Sequence, residues 1–126
     1  MKIKDIDHIT LTVTDLEATL RFYHEVFDMP IIDRNDNQHY VLCGKQAIKF
    51  QVIDKPNLPI AKAPTPGAAD FCIIVKDPLE EVENHLKSYY VDIVEGPVNR
   101  IGAHGPITSI YVRDPDQNLI EISEYH

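Results

Sequence analysis

Two stretches of this chain share one pattern, and that repeat constrains its fold more than any other feature. In the first, Ile9, Leu11 and Val13 alternate with His8, Thr10 and Thr12. Alternation with period two predicts a strand with one apolar and one more polar face. Asp15 follows as a helix N-cap, and Thr14-Asp15-Leu16-Glu17 has capping-box spacing. Leu16, Leu20, Tyr23 and Phe27 then recur at helical spacing, so a helix is expected to lay its apolar stripe on the Ile9/Leu11/Val13 face. The second stretch, Asp70 to Val75, is again a strand. Asp77-Pro78-Leu79-Glu80 supplies an N-cap and a proline at the first helical position, and Leu79, Val82, Leu86 and Tyr89 form the second stripe. The two openings align at an offset of 70 − 8 = 62 residues. This is internal duplication of a supersecondary unit.

Each strand–helix pair is followed by further short strands. In the first half these are Ile31-Ile32 onward, His39–Cys43 and Ala47–Ile53, with a polar turn at Arg34–Asn37 and a tight one at Gly44-Lys45. In the second half Val91–Val94 reads as a short strand and Gly96–Pro106 as a Gly-rich loop. Ile107–Arg113 and Leu119–Ser123 then read as strands about a turn at Asp114–Asn118. Pro56, Pro59, Pro64, Pro66 and Gly67 suit neither helix nor central strand. The expectation is one α+β domain over residues 1–126. Half-modules 1–54 and 68–126, each βαβββ, are joined by a proline-rich linker over 55–67. Together they form a curved, incompletely closed mixed sheet around a cleft.

Composition limits what such a domain does. The net charge is −8, which argues against nucleic acid and anionic membranes, since phosphates must be met by clustered Lys and Arg. The N-terminus has no apolar core of a signal peptide, and no apolar run approaches a membrane span of roughly 18 residues. Cys43 and Cys72 are expected to be free thiols. A cytoplasmic protein binding a small molecule is the resulting expectation.

Strand parity picks out candidate site residues. If Ile9, Leu11 and Val13 face the helix, His8 faces the other way, and by the same rule so does Asp70. Gln51, Glu121, Ser109, Tyr111 and Arg113 fall on the corresponding faces of their strands. An imidazole, an amide oxygen and two carboxylates from His8, Gln51, Asp70 and Glu121 suit a divalent ion such as Ni, Zn, Co, Mn or Fe. The competing reading is ordinary polar residues on solvated strand faces. Arg100 and His104, on the Gly-rich stretch, are candidates to meet substrate, Arg100 through a carboxylate. Tyr111 and Arg113 are candidates to line the cleft.

The opening Ile6-Asp7-His8-Ile9-Thr10-Leu11-Thr12-Val13, with Asp15-Leu16-Glu17 and Arg21-Phe22-Tyr23, resembles that of the vicinal oxygen chelate superfamily. This group includes glyoxalase I, fosfomycin and bleomycin resistance proteins, and extradiol dioxygenases. Pro66-Gly67-Ala68-Ala69-Asp70 is similar to its second-module opening, and Gly105 to Glu121 to its closing signature; small glyoxalase-domain proteins are the subgroup it resembles. The resemblance implies paired βαβββ modules and a metal held by two positions from each. His8 matches the first of these positions and Glu121 the last, with Gln51 and Asp70 between them. Asp70 stands where most members carry His, which disfavours the two-His, one-carboxylate iron site of ring-cleaving dioxygenases.

The implied activity is that of a metal-dependent lyase or isomerase. It would act through an enediolate on a small α-oxo or hydroxy compound, a thiol adduct such as a hemithioacetal among the candidates, with Glu121 as ligand, base or both. Alternatives are an epimerase or resistance enzyme of the same group, or a metal-free protein that sequesters a toxic ligand. A detoxifying role and a homodimer are the further expectations.

Overall fold

The computed structural model describes residues 1–35 and 38–126. The chain divides into two compact units, Met1–Ala68 and Ala69–His126. In the first, β1 (His8–Val13) is followed by α1 (Leu16–Glu25), β2 (Ile31–Asn35), β3 (Gln38–Cys43) and β4 (Gln46–Val52). In the second, β5 (Asp70–Ile74) is followed by α2 (Leu79–Ser88), β6 (Glu95–Gly102), β7 (Gly105–Arg113) and β8 (Leu119–Tyr125). Each unit is thus βαβββ, with strand orders β1-β4-β3-β2 and β5-β8-β7-β6. The first and last strands of each unit pair in parallel, and the remaining pairs are antiparallel. The architecture is α+β, as expected.

Register explains why alternation decides the layering. Leu11 pairs with Phe50 and Val13 with Val52 on β4, while Val41 on β3 pairs with Ile48. These side chains share the face on which α1 lies, where the buried ring of Tyr23 stands 5.0 Å from that of Phe50. Burying each such side chain contributes roughly 1.5–3 kcal/mol. The second core repeats this with Ile110 paired to Ile122 and Val112 to Ile120 beneath Leu79 and Leu86 of α2, all buried. Asp15 caps α1, its side chain accepting from the Ala18 N–H at 3.0 Å.

Three local expectations are corrected. Residues 91–94 form no strand; the strand begins at Glu95 instead. The stretch Gly96–Pro106 is no loop but the edge strand β6 and a tight turn into β7. Pro97 and two glycines are tolerated there because an edge strand need not donate outward, and the register shift between Glu95 and Val98 absorbs the irregularity. Gly96 has φ +107, and a Cβ on it would lie 2.5 Å from the Ser109 carbonyl oxygen. Only glycine lets β6 approach β7 so closely. At α2 the N-cap is Pro78 rather than Asp77, and among the described residues no side chain caps the helix. The turn expected at Arg34–Asn37 falls partly on residues 36 and 37, outside the described residues. No helix among the described residues is long and apolar enough to cross a membrane.

Candidate functional site

The face of each sheet turned away from its helix carries the polar side chains. In the first unit this face holds His8, Thr10 and Thr12 from β1, paired with Ala47, Lys49 and Gln51 of β4. His8 Nδ1 lies 2.8 Å from Asp7 Oδ2. A carboxylate only accepts, so Nδ1 is the donor in this contact and Nε2 is the ring nitrogen left to act as a ligand. This is the arrangement in which a second-sphere carboxylate orients a metal-binding imidazole. The ring packs edge-on to Tyr40, 5.7 Å between centroids. Beside it opens a hollow of about 270 Å³ lined by Ile32, Tyr40, Leu42 and Ala47 among others.

Gln51 sits elsewhere on this face. It pairs with Thr12, whereas His8 pairs with Ala47, a separation of four residues, or about 13 Å along the strands. Its side chain is buried, and Oε1 accepts the backbone N–H of Asn57 at 2.9 Å. Within the first unit His8 and Gln51 are therefore not brought together.

In the second unit Asp70 pairs with Leu119 and Cys72 with Glu121. Asp70 and Glu121 thus share a face, two residues apart in register on neighbouring strands, and Asp70 is exposed. Glu121 is tied into a row of hydroxyls. Ser109, fully buried, donates from Oγ to Glu121 Oε2 at 2.6 Å. Ser123, also fully buried, lies 2.6 Å from Ser109 and 3.4 Å from the same carboxylate oxygen. Cys72 Sγ is 3.3 Å from the Ser123 hydroxyl. Burial pushes the Cys72 thiol above its ordinary value; the Ser123 hydrogen bond partly offsets this, and the Glu121 charge adds to it. Among the described residues both hydrogen bonds that Glu121 accepts fall on Oε2, which leaves Oε1 for other chemistry.

The remaining candidates divide. Arg100 lies on β6 and donates from Nε to Tyr111 Oη at 3.1 Å, with Glu95 3.5 Å from its other end. That hydrogen bond, chiefly, holds its guanidinium above the ordinary value. Tyr111 pairs with Glu121 across β7 and β8, so Arg100, Tyr111 and Glu121 share one face. Arg113 is exposed and donates to the Gln117 carbonyl at 3.2 Å. His104 is exposed at the β6–β7 turn, where its backbone N–H donates to Tyr125 Oη at 3.0 Å. Neither Arg113 nor His104 is drawn into the Ser109–Glu121 group. Among the described residues no three His, Cys, Asp or Glu side chains are grouped so as to hold a metal ion.

Register also exposes a residue that sequence reasoning missed. His8 pairs with Ala47 and its counterpart Asp70 with Leu119, so β4 and β8 correspond at an offset of 119 − 47 = 72. Glu121 then corresponds to residue 121 − 72 = 49. That residue is Lys49, and Gln51 corresponds to Ser123. The first unit thus carries a cation where the second carries its carboxylate. The signal was present in the parity of β4, where Lys49 and Gln51 alternate on one face, but parity alone does not choose between them.

Comparison with known proteins bears on the whole arrangement. The Glyoxalase/Bleomycin resistance protein/Dioxygenase superfamily model matches residues 5–122. Virulence protein STM3117 of Salmonella typhimurium is 45% identical over 125 residues, covering 99% of this chain and 87% of that protein. Its crystal structure matches with a TM-score of 0.97 at 44% identity, over all of both chains. Glyoxalase domain-containing protein RDO1 of Mycosarcoma maydis is 38% identical, covering 99% of this chain and 70% of its own length. A lactoylglutathione lyase from Agrobacterium tumefaciens shares the fold, with a TM-score of 0.75 at 22% identity over 98% of this chain and 96% of its own. The chain belongs to the Glyoxalase/Bleomycin resistance protein/Dioxygenase superfamily.

Proposed function

We propose that this protein is a metal-dependent lyase or isomerase acting on a small α-oxo or hydroxy compound, a thiol adduct such as a hemithioacetal among the candidates. The observation that carries the reading is the Glu121 carboxylate, held through one oxygen by the buried Ser109 hydroxyl at 2.6 Å with its other oxygen left available. The candidate donors are His8, through Nε2, in the first unit and Asp70 and Glu121 in the second. Their nitrogen and oxygen chemistry suits a borderline or hard divalent ion, among Ni, Zn, Co, Mn and Fe. Gln51 is a weaker donor than expected, because the Asn57 N–H already engages its oxygen.

When bound, such an ion supplies Lewis acidity to adjacent oxygens of the substrate. The chain's own residues do the rest. Glu121 takes a proton from the carbon beside the carbonyl and returns it to the neighbouring carbon. Ser109 keeps the carboxylate in one rotamer while it does so. Arg100, aligned by Tyr111, supplies a planar cation on the same face of the second sheet as Glu121.

A second reading, a protein that sequesters its ligand without chemistry, is favoured by Lys49 at the position corresponding to Glu121. Metal analysis after purification without chelators decides between them. Close to one equivalent of transition metal, or its uptake from Ni or Zn solution, supports the enzyme; less than about a tenth of an equivalent under both conditions sinks it. In metal-loaded protein, Glu121→Gln is expected to lower hemithioacetal isomerisation by about 10²-fold or more, and equal rates would remove Glu121 from the mechanism.

A further inference from the structure

The proline-rich segment after β4 and part of the polar face of the first sheet together line a half-open cavity of about 320 Å³. Its floor is Thr10, Thr12, Lys49 and Gln51, and Pro59 and Ile60 stand opposite. The Asn57 N–H bonded to Gln51 Oε1 pins the segment down. The volume is at the lower end of the range for small-molecule pockets, roughly 300–1,000 Å³. We propose that this cavity binds the oxyanion group, carboxylate or phosphate, of a small ligand, with Lys49 as its cation and Thr10 and Thr12 as hydroxyl donors.

Charge carries the inference. The protein has a net charge of −8, yet among the described residues no acidic side chain lines this cavity. Lys49 is half-buried on the central strand β4, paired with Thr10 on one side and Tyr40 on the other. Its ammonium stands 5.9 Å from the centroid of the Tyr40 ring, and among the described residues it forms no ion pair. Burying the stem against an aromatic ring while withholding a carboxylate leaves a positive charge to be answered by a ligand. A lysine is a point charge that donates to either a carboxylate or a phosphate oxygen. The two threonine hydroxyls, two residues apart on one strand face, add neutral donors that the same oxygens satisfy.

This subsite names a substrate class for the proposed enzyme and rests on that reading only for the identity of the ligand. Its test needs no metal. The full chain, treated with a chelator, is titrated with sodium phosphate and separately with sodium acetate at constant ionic strength. Backbone amide chemical shifts of Thr10, Thr12, Lys49 and Asn57 are followed. At least one anion is expected to give saturable shifts confined to these residues, with a Kd on the order of millimolar.

Lys49→Met is expected to weaken binding by about tenfold or more, while Lys49→Arg stays within about threefold and Lys87→Met, on α2, matches wild type. If Lys49→Met disturbs shifts elsewhere, Lys49→Gln must show the same loss. Saturation by neither anion, or equal affinity in the folded Lys49 variant, overturns the subsite. Absence of metal uptake with intact anion binding would remove the enzyme reading and leave the subsite standing.

Discussion

The Ser109 hydroxyl donates to Glu121 Oε2 at 2.6 Å from a position with no solvent exposure, so one face of the carboxylate is committed and the other is not. A charge-assisted hydrogen bond of this kind contributes about 1.5–3 kcal/mol. Ser109→Ala is therefore expected to destabilise the fold by roughly that amount in urea denaturation. It should also weaken metal binding by about tenfold in competition with a chromophoric chelator. Unchanged metal affinity would show that Glu121 needs no support from Ser109.

Asp7 holds the proton of His8 on Nδ1. In Asp7→Asn the amide can donate as well as accept, so the imidazole is no longer held to one tautomer. Metal affinity is expected to fall about 10- to 100-fold with little change in stability, since the Asp7 carboxylate is almost fully solvated. Equal affinity in the same chelator competition would separate His8 from the metal.

Asp114 is buried and knits the turn before β8. Its Oδ1 accepts the N–H groups of Asp116 and Asn118, and its Oδ2 the Asn118 side-chain amide at 2.8 Å. Asn118 in turn accepts the Ala69 N–H, at the start of β5. Asp114→Ala strands three donors and is expected to cost about 3 kcal/mol or more, read from the urea midpoint. A loss below about 0.5 kcal/mol would mean that water replaces these bonds freely.

Burial raises the Cys43 thiol above its ordinary value of 9.0. The folded chain then holds that proton more tightly than the unfolded chain, so stability falls as pH rises above about 9 and is unaffected below it. Alkylation of Cys43 by iodoacetamide at pH 8, measured in Cys72→Ser, is expected to be slower than that of an unfolded peptide thiol. An equal or faster rate would contradict the burial.

Much of the fold and half of the candidate site were legible in the residues themselves. Alternation in His8–Val13 and in Leu119–Ser123 is a local property, because successive side chains of any strand point to opposite faces. It therefore revealed the helix-facing cores and put His8, Asp70 and Glu121 on the polar faces without reference to the rest of the molecule. The edge strand β6 was not legible. Gly96 and Pro97 are breakers in isolation, and only the approach of β7 turns them into a bulged strand bearing Arg100 rather than a loop.

Register was the other quantity beyond reach. Whether Lys49 or Gln51 answers to Glu121 depends on which residue of β4 pairs with His8. That pairing is set by contacts between segments some forty residues apart, with no trace in local pattern. The sequence by itself determined the repeated βαβββ order and the polar faces, since both follow from short-range periodicity. Only the tertiary structure decided that Gln51 anchors the proline-rich segment, that Ser109 holds Glu121, and that a lysine occupies the first unit's matching position.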